Sequence, residues 1–551
     1  MPSFSLLHRL LLAAFIGGLT LTCPAFAAEK RPNIIMIVAD DMGYSDIGCF
    51  GSEIATPNLD KLAARGVRFS QFYTTPKCFP SRASFLTGLY PHQVGMGRSP
   101  GHLRGAPTVS QTLRSAGYAT WMSGKWHGRD LPVQLGFEHS FGLVDGQVNH
   151  FNPGRQRPGE PAPSQDKGER RWAFDGQEFR PWTPDDPKFY STDAYTDRAL
   201  QFIQDQKDDR PFFLHLAYTA PHYPIQAWPE DIAKYRGKYL AGWDVIRTAR
   251  YERQRAQGLL TPGMQQLPPR GSIKYADVRK LGPWLPRFWD DSQLIMPWNA
   301  VPDQDRWDLK MAVYAAMVDR LDQNIGRLVA KLESLGKLEN TLIIFFSDNG
   351  ASGGTHHYGT TTKDEPTSGP GPMDSFHTYD TPWAAVSNTP FRGYKDTCYE
   401  GGYATPFIAF WPAGLKARPG SVRHDVGHII DLAPTFFELA GATRPEQWEG
   451  KPTPALEGRS LLPVFSNTGN LGERALYWEY NEDASIRSGD WKLTRYGKDP
   501  WELYDLSKDR GEQNDLTGSR PEIARELEAR WTAWAQRLGI DRLPPKKPIS
   551  E

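Results

Sequence analysis

Two apolar runs far apart in the chain share one design. "RPNIIMIVADDMG" runs from Ile34 to Ala39 without a polar interruption and then breaks into Asp40 and Asp41. "TLIIFFSDNG" runs from Thr341 to Phe346 and breaks into Asp348 and Asn349. Runs that are apolar at every position, rather than at alternate ones, predict strands buried on both faces of a parallel sheet. "PFFLHLAY", just before "TAPHYP" and His222, reads the same way. Val313, Met317, Leu321, Ile325, Leu328 and Leu332 recur at near-helical spacing up to Gly336, which predicts a helix that stops there. Strand, helix and strand in alternation predict an α/β fold, a mostly parallel sheet flanked by helices. Ligands gather beyond the carboxyl ends of such strands, so the two acidic ends are expected to meet at one site.

Elsewhere the pattern is weaker. Residues 150–310 are rich in Pro, Trp, Arg and Tyr and predict long excursions over the sheet edge. Trp228, Trp243, Trp284, Trp289, Trp298 and Trp307 follow no helical or strand period there, so some are expected to line a cleft. After about residue 440, "RALYWEY", "SIRSGDWKLTRY" and "WELYDL" read as short strands, and Pro521 to Leu538 as an amphipathic helix. They predict a smaller C-terminal α+β domain. At the other end, His8 and Arg9 precede "LLLAAFIGGLTL" and the small-residue pattern "AFAAEK", a leader cleaved near Ala27. The expected division is a signal peptide at 1–27, an α/β catalytic domain at 28–440 and a C-terminal domain at 441–551, in an exported, periplasmic or secreted protein. No later stretch is long and apolar enough for a transmembrane helix, so no membrane partner is expected.

Charge narrows the partners. The 551 residues carry 64 Lys and Arg against 64 Asp and Glu, which leaves no global field for nucleic acid or a membrane surface. Anion binding must then be local. Of four cysteines, loss of the leader leaves Cys49, Cys78 and Cys398, too few for a disulfide framework. Either all three are buried thiols, or Cys49 and Cys398 pair and leave Cys78 alone.

Asp40, Asp41, Asp348 and Asn349 are hard oxygen donors, suited to Ca²⁺ or Mg²⁺ rather than zinc, although such residues also serve as plain turn formers after strands. "SGKWHG" offers Lys125 and His127, which would project together from an extended segment. "APH" offers His222 and "FRGYK" Lys395. Together these are groups that an oxyanion with a charged transition state requires. In "PKCFPSRASFLTG", Pro80 fits the first turn of a helix. Cys78 then lies at a helix start with Arg82 one turn on, a setting that favours a thiolate. These features leave the final chemistry of Cys78 open.

"CFPSRASFLTG" resembles the C-x-P-S-R-x-x-x-L-T-G signature of the type I sulfatases, closest to bacterial arylsulfatases. "IVADDMG", "TPNLDKLAARGVRF", "GKWH", "APH", "SDNG", "FRGYK", "EGGYATPFI" and "ELYDLSKDRGEQNDL" extend the likeness over nearly the whole mature chain. The resemblance implies an alkaline-phosphatase-like fold and oxidation of Cys78 to Cα-formylglycine (3-oxoalanine) by a maturation enzyme. It implies one Ca²⁺, with Mg²⁺ as alternative, held by Asp40, Asp41, Asp348, Asn349 and the modified Cys78. It further implies that the hydrated aldehyde attacks sulfur with Asp348 as base, while Arg82 and His127 hold the diol. Lys125, His222 and Lys395 then grip the sulfate, His222 or Lys395 assists the leaving alcohol, and His127 takes the proton that frees sulfate. The expected substrate is an aryl or carbohydrate sulfate ester. A phosphate or phosphonate hydrolase of the same superfamily is the rival, with His356 and His357 the candidate extra zinc ligands, here expected to be loop residues.

Overall fold

A computed structural model of the chain, which describes residues 31–164, 169–264, 266–269, 297–301, 303–353 and 369–540, sets the two acidic-ended runs side by side. The main sheet has ten strands, β1 (Asn33–Ala39), β2 (Val67–Tyr73), β3 (Ala119–Gly124), β4 (His139–Leu143), β5 (Trp172–Phe174), β6 (Gln177–Phe179), β7 (Phe212–Ala217), β8 (Thr341–Ser347), β9 (Ala404–Phe410) and β10 (Ser421–His428). Their order is β10-β2-β9-β8-β1-β7-β3-β4-β5-β6. Strands β8, β1, β7, β3 and β4 pair in parallel, as do β10 and β2. β9 runs antiparallel to both β8 and β2, and β5 antiparallel to β4 and β6.

The continuous apolar runs are explained by cover on both faces. Ile35, Ile37 and Ala39 pack under helices Pro57–Arg65, Ser191–Asp205 and Gln304–Ser334. Ile34, Met36 and Val38 face the opposite core, built from helices Cys78–Thr87, Val109–Ser115 and Leu432–Ala440. The long helix starts at Gln304, earlier than the stripe from Val313 suggested, because buried Trp307 and Met311 extend its inner side. Asp303 caps it by accepting from the Arg306 N–H at 3.1 Å, and Gly336 turns the chain away at φ 63°.

Two expectations change. Among the described residues, 150–310 supply more than excursions: besides the expected strand β7 they form helices Ser191–Asp205 and Trp243–Ala256. Tyr195, Ala199 and Ile203 form the buried stripe of the first of these, a spacing hidden among polar neighbours. Among the described residues, Trp228, Trp243, Trp298 and Trp307 pack against other aromatic rings. Trp243 centres a cluster with Trp298, Trp307 and Trp383 at ring distances of 4.8, 5.6 and 5.8 Å. Half-buried Trp228 packs edge-on against Phe151. Trp284 and Trp289 lie outside the described residues. Cys49, Cys78 and Cys398 are buried free thiols, so the alternative of a Cys49–Cys398 bridge does not hold.

A small hairpin, β11 (Gln447–Trp448) and β12 (Lys451–Pro452), leads to a four-stranded antiparallel sheet. Its strands are β13 (Ala475–Tyr480), β14 (Asp483–Ser488), β15 (Trp491–Arg495) and β16 (Glu502–Asp505), and helix Pro521–Arg537 buries Leu527, Trp531 and Trp534 with them. This smaller α+β domain is tied to the main sheet by buried charge. Glu400, just before β9, takes Lys492 Nζ at 3.3 Å and Arg510 Nε at 2.8 Å, and Lys492 also meets Glu512 at 2.6 Å. Lys492 has no solvent-exposed side chain, so water cannot replace it. Lys492→Met should therefore destabilise the protein by roughly 3–5 kcal/mol, the penalty for leaving buried carboxylates unpaired, read as a lower denaturant midpoint.

Candidate active site

Parallel register brings the polar strand ends together. Ala39 pairs with Ser347, so Asp40 and Asp348 emerge side by side, and the Asp348 N–H donates to the Ala39 carbonyl at 3.1 Å. Gly124 and Val38 both pair with Ala217, which places Lys125 and the loop to His222 beside them. Because β9 runs antiparallel, its amino end lies at this same edge and delivers the preceding Lys395. Here two loops touch at backbone level. A Cβ on Gly350 would sit 1.8 Å from the Gly401 carbonyl oxygen, so the glycines of "SDNG" and "EGG" permit the approach. The Lys395 N–H donates to the Ala351 carbonyl at 3.0 Å across that contact.

Cys78 opens helix Cys78–Thr87 and is 2% exposed. The turn before it is locked by Ser81, whose Oγ accepts the Thr75 N–H at 3.0 Å and meets Thr75 Oγ1 at 2.7 Å. Arg82, one turn on, donates from Nη2 to Asp348 Oδ2 at 2.7 Å and from Nη1 to the Lys125 carbonyl at 2.7 Å. Lys125 Nζ lies 2.5 Å from Asp40 Oδ2, and Lys395 Nζ lies 2.6 and 2.8 Å from the two Asp41 oxygens. Each buried carboxylate thus has its own cation. Asn349 Nδ2 donates to Asp41 Oδ1 at 2.8 Å, and His222 Nε2 stands 3.4 Å from Asp41 Oδ2.

The segment carrying Lys125 and His127, expected to be extended, is not extended throughout. The backbone turns at His127 with φ 63°, so Lys125 goes to Asp40 while the half-buried His127 ring packs edge-on to Phe79 at 5.8 Å. His356 and His357 lie outside the described residues. Ser81, Gly350 and the Lys77–Asp396 ion pair at 2.7 Å, which brackets Cys78 and Lys395, were not singled out from sequence. Ser81 and Gly350 had a signal, their places inside the motifs "CFPSRASFLTG" and "SDNG".

Burial and neighbouring charge divide the protonation states. Burial pushes Asp40 up to about 7, aided by Asp348 and Asp41 and opposed by Lys125 and Arg82. Burial acts on Asp41 likewise, but His222, Lys395 and Lys125 outweigh it and hold that carboxyl below its usual range. Lys395 is raised well above an ordinary lysine: burial opposes this, and Asp41 overrides burial. Burial drives both His127 and His222 well below the ordinary imidazole value, with Lys125 and Lys395 adding to it, so both rings are neutral near pH 7. His222 Nδ1 donates to the Tyr223 carbonyl at 2.6 Å, which leaves its Nε2 as the free lone pair.

The donor chemistry fits a hard cation. Asp40 Oδ1 and Asn349 Oδ1 are buried without a hydrogen-bond partner among the described residues, and each such oxygen costs about 1–3 kcal/mol unless something binds it. Asp40, Asp41 and His222 also bring ligand atoms within 4.8 Å of one another. Oxygen donors predominate, as Ca²⁺ and Mg²⁺ prefer.

Comparison with known proteins agrees with this geometry. The sulfatase profile matches residues 32–442, and the profile of the N-sulphoglucosamine sulphohydrolase C-terminal region matches residues 393–536. An uncharacterized sulfatase of Schizosaccharomyces pombe is 32% identical over 94% of this chain and 96% of its own length. The arylsulfatase of Klebsiella aerogenes is 34% identical over 80% of this chain and 93% of its own. Among solved structures, Ps i-CgsB in complex with k-i-k-neocarrahexaose superposes with a TM-score of 0.63 at 26% identity, covering 92% of this chain and 93% of that one. The fold is the alkaline-phosphatase-like α/β architecture with a smaller C-terminal domain, and the chain is an enzyme of the sulfatase family.

Proposed function

We propose that the protein hydrolyses a sulfate monoester, aryl sulfates included, at the edge where β1, β8, β7 and β3 end. The observation that carries this reading is the convergence of Arg82, Lys125 and Lys395 on three buried carboxylates beside Cys78. Asp40, Asp41, Asp348, Asn349 and position 78 would hold one Ca²⁺, with Mg²⁺ as alternative. Such a cation supplies Lewis-acid neutralisation of the sulfate oxygens. Conversion of the Cys78 thiol to an aldehyde by a maturation enzyme supplies, once hydrated, an oxygen nucleophile with a route to release sulfate.

The chain's own groups do the rest. Lys125 and Lys395 are fixed cations within reach of the anion, and Arg82 orients Asp348 through their 2.7 Å bond so that its carboxylate can take a proton from the nucleophile. His127, neutral and with Nδ1 unpaired, accepts the proton whose loss frees sulfate. The departing alcohol can take its proton from the Lys395 ammonium, charged beside Asp41, because neutral His222 carries its one proton at Nδ1 and none at Nε2. In keeping with the leader, residues 1–27 would direct export. Aryl sulfates lead because the arylsulfatase relative is the more similar in sequence, and a sugar sulfate follows from the neocarrahexaose-bound neighbour.

Purified enzyme should turn over nitrophenyl sulfate and act far more slowly on nitrophenyl phosphate, and Cys78→Ala should abolish turnover while the unfolding midpoint stays put. Phosphate turnover equal to or above sulfate turnover would count against the reading. Asn349→Ala removes an oxygen donor without stranding a buried charge. It should lower activity by more than about tenfold, the lower bound for losing even an indirect metal support, and lower the metal content found by elemental analysis from about one per chain. Stoichiometric zinc with full activity would contradict it.

A further inference from the structure

We infer that Gly146 and Phe79 are positioning residues that clamp the His127 imidazole between them and its own backbone; the inference rests on the reading of His127 as a proton acceptor. His127 Nδ1 is buried without a hydrogen-bond partner among the described residues, so no polar contact at that nitrogen fixes the ring. Packing must do so instead. The ring lies against the bare Cα of Gly146. A Cβ there would fall 2.5 Å from Nε2, 2.7 Å from Cε1 and 3.2 Å from Cδ2. Phe79 also meets the ring, edge-on at 5.8 Å and 72°, and is itself backed by Tyr480 at 6.1 Å.

The two backbones that carry this contact are tied together. Trp126 and His127 N–H groups donate to the Leu143 and Val144 carbonyls at 2.8 and 3.1 Å. Arg171 donates to Asp145, next to Gly146, from its N–H at 2.8 Å and its Nε at 3.1 Å, and to the Gly128 carbonyl, next to His127, at 3.2 Å. The clamp therefore keeps its spacing while the ring itself is held by contact alone. Gly146 is not in the left-handed region, so alanine fits its backbone, and the atoms forced to move belong to the imidazole. Phe79 occupies the variable position of the cysteine motif, whose side chain thus acquires a task.

Gly146→Ala should lower kcat on nitrophenyl sulfate on the order of tenfold or more, the scale of an ångström-level misplacement, with KM changed less than about twofold. A crystal structure of the variant should show the His127 ring displaced and the surrounding backbone unchanged. In a His127→Ala background, adding Gly146→Ala should cause no further loss of kcat. Wild-type kcat in Gly146→Ala, an undisplaced ring, or losses that multiply in the double variant would overturn the clamp. Full activity in His127→Ala would instead overturn the role of His127, which keeps the two failures apart. Should alanine at 146 disturb folding, Phe79→Leu, which retains apolar volume, carries the same three readouts, and a wild-type kcat there overturns the clamp.

Discussion

Three carboxylates taken out of water at the ends of two neighbouring strands are the constraint around which this structure is organised. Each isolated ion would cost several kcal/mol in such a setting. The fold answers with one cation apiece: Lys125 for Asp40, Lys395 for Asp41 and Arg82 for Asp348. Those cations come from three segments far apart in the chain, so the charge balance closes only when the loop after Gly124, the loop before β9 and the helix at Cys78 are all in place. In the proposed reaction the same pairing becomes an exchange of partners. There the carboxylates would hold a divalent cation, which would leave Lys125 and Lys395 to the sulfate oxygens.

Topology supplies the convergence. Parallel strands put their carboxyl ends on one edge, and the single antiparallel strand next to β8 delivers Lys395 there by its amino end. The glycine contact between residues 350 and 401 lets that loop approach the acidic strand ends closely. On the far side, the Glu400–Lys492–Glu512 network couples the same loop to the smaller domain. The C-terminal sheet is thereby a structural support for the segment that carries Lys395.

The parts legible in sequence were those governed by period or by an abrupt change of polarity. Ile34 to Ala39 and Thr341 to Phe346 gave two central strands and their acidic ends because burial on both faces leaves no polar position. The short strands after residue 440 and the final helix were readable for the same reason. Helix Ser191–Asp205 was missed because its buried stripe is interleaved with polar residues. The tryptophans misled because they are held by one another, across four separate segments around Trp243, rather than by the period of any one element. The turn at His127 was also invisible, since nothing in "SGKWHG" signals a left-handed residue in place of an extended one. Of the site, the residue types were readable, whereas their one-to-one pairing needed the register of β1, β7, β8 and β3.

The central claim is that a buried thiol at a helix start, among cations and beside hard oxygen donors, is the precursor of the nucleophile rather than the nucleophile itself. Mass spectrometry of the peptide containing Cys78, taken from active enzyme made in a host with a maturation system, tests this most directly. The account predicts an aldehyde at that position, with one oxygen in place of the sulfur and two hydrogens, in a fraction that rises in step with specific activity. A fully active preparation with an unmodified Cys78 thiol would contradict it.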